Sequence, residues 1–74
     1  MVEEQIAEIG LLGWFVSKTK DGRNLIETPE GEFIIEDDFD AFWVYERSGE
    51  NEYTSVDAFS KFEDAIDTVK KWLK

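Results

Sequence analysis

Eighteen carboxylates stand against eight lysines and arginines in a chain of 74 residues, a net charge of −10, with neither histidine nor cysteine. That balance repels nucleic acid and anionic membranes, and the missing residue types exclude a disulfide framework, a thiolate metal site and histidine acid–base chemistry. Eleven aromatics in so short a chain point to one densely packed domain, 1–74, because a domain of this size buries only about 60% of its unfolded surface.

Val2, Ile6 and Ile9 recur at i, i+4 and i+7 among Glu3, Glu4 and Glu8, which predicts a short amphipathic helix with acids at its N-terminus and Gly10 as its C-cap. The opening residues carry glutamates where a secretory leader carries lysines, and no apolar run approaches the ~20 residues of a membrane span. A small domain without disulfide staples is then expected in a reducing, cytoplasmic setting.

Leu11 to Thr19 reads as a first strand, and Asp21-Gly22 as a type I′ hairpin turn returning through Leu25 and Ile26. Thr28-Pro29-Glu30-Gly31 supplies a second turn. The third strand runs from Glu32 to Ile35 or Glu36, Asp37-Asp38 forms the third turn, and Phe39 to Arg47 is a fourth strand ended by Ser48-Gly49-Glu50-Asn51. Tyr53 to Val56 is either a short extra strand or a loop. Ser60 and Glu63 have capping-box spacing, and Phe62, Ala65, Ile66, Val69, Trp72 and Leu73 make a helical stripe with acids leading and lysines trailing. The expected fold is α+β: an antiparallel four-stranded β-meander packed against a C-terminal amphipathic helix, with a short N-terminal helix (αββββα).

Within 30–47, the period-two alternation of a strand puts Phe33, Ile35, Trp43 and Tyr45 on one face and Glu30, Glu32, Glu36, Asp38, Asp40 and Glu46 on the other, unless the turn near 37–38 resets the phase. Phe42 and Val44 interrupt the acidic side, either as an exposed apolar patch or as residues covered by the N-terminal helix. Charge is uneven too. Segment 27–57 holds eleven acids against Arg47 alone and so accounts for the whole net charge.

Such a surface steers basic partners. The expected function is a small, non-catalytic, acidic protein-binding module with a basic protein partner and no direct contact to nucleic acid or membrane. Its expected contact residues are Glu30, Glu32, Glu36, Asp37, Asp38, Asp40, Phe42, Val44, Glu46, Glu50 and Glu52. The sharper form is a nucleic-acid mimic that inhibits a DNA- or RNA-binding protein. Carboxylates on one strand face recur every ~6.6 Å against one duplex charge per ~1.7 Å, so mimicry needs neighbouring strands to contribute. The alternative is a structural or assembly protein that self-associates, as a homodimer, through a sheet edge or the Phe42/Val44 face. An acidic face that is only solvated has the same composition.

No cofactor or metal is expected. Glu36-Asp37-Asp38-Phe39-Asp40 offers oxygen ligands but lacks the central glycine and distal glutamate of an EF-hand loop. No P-loop, nucleophile motif or glycine-rich nucleotide fingerprint occurs either. In length, acidity and outline the chain resembles many small phage and prophage proteins, some of which inhibit host DNA-handling proteins; no residue motif carries that resemblance.

Overall fold

A computed structural model describes residues 2–38 and 40–73. Its elements are α1 (Glu3–Leu11), β1 (Phe15–Lys18), β2 (Asn24–Glu27), β3 (Phe33–Asp38), β4 (Ala41–Gly49), β5 (Glu52–Phe59) and α2 (Phe62–Trp72). The strands form one antiparallel sheet in the order β1-β2-β3-β4-β5, so each pairs only with its neighbours in sequence. The sheet has five strands, one more than expected, because the segment read as 53–56 lengthens into the eight-residue β5. Every residue of β5 except Phe59 is exposed, and a strand wet on both faces carries no apolar alternation by which to recognise it.

Each turn resolves through local chemistry. Leu11 extends α1 past Gly10, and Gly13, at φ +80°, ends it. The Gly13 amide donates to the Gly10 carbonyl and the Trp14 amide to the Ile9 carbonyl, a Schellman pair that needs a left-handed residue at position 13. The β1–β2 hairpin is not type I′, since only Gly22, at φ +87°, is left-handed there and Asp21 is not. Its Lys20-Asp21-Gly22 loop is closed by the Thr19 amide donating to the Arg23 carbonyl, which matches a three-residue loop ending in a glycine bulge. Thr28, almost fully buried, closes the β2–β3 loop, its Oγ1 accepting from the Phe33 amide at 3.1 Å.

The third turn decides which face is which. β3 continues through Asp37 and Asp38, and Asp38 pairs with Ala41, where β4 begins. Phe39, expected to open the fourth strand, lies outside the described residues. Moving the turn reverses the phase of β4. Phe42 pairs with Asp37, Val44 with Ile35 and Glu46 with Phe33, so the even positions of β4 join the odd positions of β3.

Val16, Ile26, Ile35 and Val44 thereby form one cross-strand apolar row. That row shares a single core with Ile9 of α1, with Trp14, and with Phe62, Ala65, Ile66 and Val69 of α2. Both helices therefore cover the same face. Phe42 meets Phe62 edge-on, with ring centroids 5.9 Å apart. The expectation that Phe42 and Val44 form an exposed patch is corrected: Val44 is 0% exposed and Phe42 packs against the core. Nor is α1 their main cover, since α2 packs on β4 while α1 packs on β1. In α2 the N-cap is Lys61, without a side-chain cap bond, so the box expected from Ser60 and Glu63 does not form. The acids Glu63 and Asp64 and the terminal Lys70 and Lys71 still complement the helix dipole. No helix among the described residues is long and apolar enough to cross a membrane.

Candidate site on the open face of the sheet

With both helices on one side, the other face of the sheet stays uncovered. The same phase reversal that buries Phe42 and Val44 brings Trp43 and Tyr45 out onto it, against the expectation that they pack with Phe33 and Ile35. Two cross-strand rows make up its centre: Leu25, Glu36, Trp43 and Ala58 form one, and Glu27, Ile34, Tyr45 and Ser55 form the other. Phe15 stands opposite Glu27, and Tyr53 opposite Arg47. Phe15 is 59%, Trp43 39% and Tyr53 38% exposed. Trp43 is flanked directly by Ala58, whose small side chain leaves the indole accessible, and by the Glu36 carboxylate.

One end of this face is ordered by Arg23. Its Nη1 lies 3.3 Å from Glu36 Oε1 and 3.8 Å from Asp38 Oδ1, and its Nε lies 3.0 Å from Asp21 Oδ2. Thr19 Oγ1 donates to Asp21 Oδ1 and accepts from the Arg23 amide. The Thr19 hydrogen bond, and after it the Arg23 guanidinium, hold the Asp21 carboxyl below the usual carboxylate range. Beside this cluster the Tyr45 phenol is pushed up, first by burial and then by the Glu36 carboxylate. At the opposite end, Glu27, Arg47 and Tyr53 converge over Gly31: a Cβ at that glycine would lie 3.6 Å from Glu27 Oε2, 3.8 Å from Arg47 Nη1 and 3.9 Å from the Tyr53 hydroxyl. Gly31 sits at φ +72° in a buried turn, so only glycine suits the position.

The eleven residues expected to touch a partner do not share one surface. Val44 and Phe42 belong to the core side. Glu30, Glu32, Glu46, Glu50 and Glu52 lie at the end of the sheet that carries the β2–β3 and β4–β5 turns; Glu36, Asp37, Asp38 and Asp40 lie at the other. The pairs Asp38–Ala41 and Phe33–Glu46 that mark these ends are five strand residues apart, or about 17 Å. Within β3 and β4, Glu36 and Asp38 point to the open face, whereas Asp37 and Glu46 point to the helix side with their partners Phe42 and Phe33.

The site is thus an aromatic and aliphatic centre with acidic groups at both ends, partly neutralised by Arg23 and Arg47. Trp43, Tyr45, Tyr53, Phe15, Leu25 and Ile34 are not among the expected contact residues; the strand pairing that resumes at Ala41 sets the phase of β4 and brings Trp43 and Tyr45 to this face. Among the described residues no group of three or more acids is arranged to hold a metal ion. Comparison with protein-family models, with curated proteins and with solved structures finds no match, so the assignment of these residues rests on the geometry of this chain.

Proposed function

We propose that this chain is a non-catalytic protein-binding module that takes a basic protein on the open face of its sheet. The observation that carries the reading is the exposed Trp43, set between Glu36 and Ala58 on the uncovered face of the sheet. A solvent-facing sheet surface is ordinarily polar, and a contiguous apolar patch with a polar rim marks a contact surface. The division of labour is physical. Acids at the two ends and the net charge of −10 accelerate encounter with a basic surface, whereas Trp43 and its neighbours provide the desolvated centre that holds the complex.

Acidic groups at two ends of a flat aromatic face also support a finer reading: the partner's basic surface is one that otherwise receives nucleic acid, and the module excludes phosphate from it. The test is affinity capture from lysate at low and moderate salt with the native chain, Trp43→Ala and the double variant Glu36→Gln/Asp38→Asn. The expected result is a basic protein retained at low salt, released as salt rises, displaced by added nucleic acid and lost with Trp43→Ala. Retention that is indifferent to salt and to Trp43→Ala overturns the reading. Retention that follows both but resists nucleic acid leaves the module standing and removes the mimic.

A further inference from the structure

The two edges of the sheet are unequal. β1 offers four residues including Lys18; α1 packs on β1 and α2 on β5. β5 offers eight residues, exposed from Glu52 through Ala58, with no lysine and no proline. Of the usual means of keeping an edge from pairing, β5 lacks a short length, lysine and proline, and carries a bulge and the charged Glu52 and Asp57. Its pairing with β4 has two register shifts: Arg47 pairs with Tyr53 and Gly49 with Glu52, so Ser48 is extra on β4, and Val44 pairs with Asp57 but Tyr45 with Ser55, so Val56 is extra on β5.

We infer that two copies of this chain pair β5 to β5, antiparallel and in full overlap, to make one continuous sheet. Opposed residues in such a pair must point to the same face. Full overlap of a regular eight-residue strand fails that requirement, because it opposes even positions to odd ones. Here the extra Val56 reverses the phase at the middle of the strand. Thr54 and Asp57 both face the helix layer, through their pairings with Glu46 and Val44; Tyr53 and Ala58 both face the open side, opposite Arg47 and Trp43. Full overlap therefore opposes Thr54 to Asp57 of the second copy and Tyr53 to its Ala58 on matching faces, while at the axis Ser55, on the open side, meets Val56, on the helix side, across the two bulges. Glu52 meets Phe59, so no two carboxylates are opposed.

The surroundings fit a second copy as well. On the helix side Val56 and Trp72, 41% and 44% exposed, line an open cleft of about 400 Å³ together with Phe33 and Glu46. A two-fold axis at Ser55–Val56 brings Val56 of the second copy to the mouth of that cleft, covering apolar surface on both copies. A symmetric, self-complementary contact of this kind closes at the dimer. Each copy carries a charge of −10, so repulsion opposes the pair and added salt strengthens it, the reverse of the salt dependence of the basic-partner contact.

Sedimentation equilibrium at low and moderate ionic strength tests the inference. A monomer–dimer equilibrium that tightens with salt is expected. Thr54→Lys sets a lysine against Asp57 of the second copy at two symmetry-related places and is expected to tighten the dimer roughly fivefold, the effect of two opposite-charge cross-strand pairs. Ser17→Lys, on an exposed position of β1, makes the same change in net charge and is expected to have less effect. The inference is overturned by a chain that stays monomeric at every salt up to concentrations on the order of 1 mM. A folded Thr54→Lys variant, checked by circular dichroism, that dimerises no more tightly than Ser17→Lys overturns it equally.

Discussion

Val44→Ala tests the arrangement of the two faces most directly. Val44 is fully buried in the row that joins Ile26 and Ile35 to α2, so truncation removes two methyl groups from a closed core. At ~0.8 kcal/mol per buried carbon the transfer term is about 1.6 kcal/mol, and the cavity left beneath α2 raises the loss to about 2–3 kcal/mol. Were Val44 on the wet side of the sheet, only strand propensity would be lost, under about 1 kcal/mol. A domain of this length has a total stability of about 4–11 kcal/mol, so the two cases differ visibly. Urea unfolding followed by circular dichroism, with an m-value of about 1 kcal/mol/M, is expected to show a midpoint lowered by about 2–3 M at unchanged m. A midpoint lowered by less than about 1 M would refute the assignment of β4's faces, and with it the open-face site.

Two glycines close together predict effects of opposite sign. Neither Gly10 nor Gly13 has any atom within 4 Å of a built Cβ, so only the backbone decides. Gly13→Ala forces a side chain into φ +80° and is expected to lose about 1–2 kcal/mol; Gly10→Ala, inside α1, is expected to gain up to about 1 kcal/mol. Urea midpoints moving in the same direction would contradict the C-terminal cap of α1. Tyr45 gives a pH-dependent prediction. Its phenol titrates above its ordinary value in the folded chain. The neutral form is thus favoured by folding, and the resulting stability is present below about pH 10 and lost as pH rises towards the folded pKa. Tyr45→Phe is expected to flatten the alkaline decline of the urea midpoint, and an unchanged decline would remove Tyr45 from its partly buried place beside Glu36.

What the residues determine by themselves is everything that depends on short range. The apolar period of 62–73 dictates α2, the glycines at 22 and 31 dictate turns, and the composition dictates a net charge of −10 gathered in 27–57. Each of these follows from interactions within a few positions of one another. The identity of β5 and the faces of β4 do not. β5 is a strand because β4 supplies its hydrogen bonds, and its own side chains, wet on both sides, announce nothing.

The faces of β4 turn on whether the chain reverses at 37–38 or after Asp38, a shift that local turn chemistry in an Asp-rich stretch does not decide. The tertiary structure decides it: Val44 lies beside Ile35 in the core under α2 and Phe42 meets Phe62, a pairing that a one-residue slip would turn inside out. Trp43 and Tyr45 come to the open face as the consequence, so the residues most suited to meeting a partner are placed there by the packing on the opposite side of the sheet.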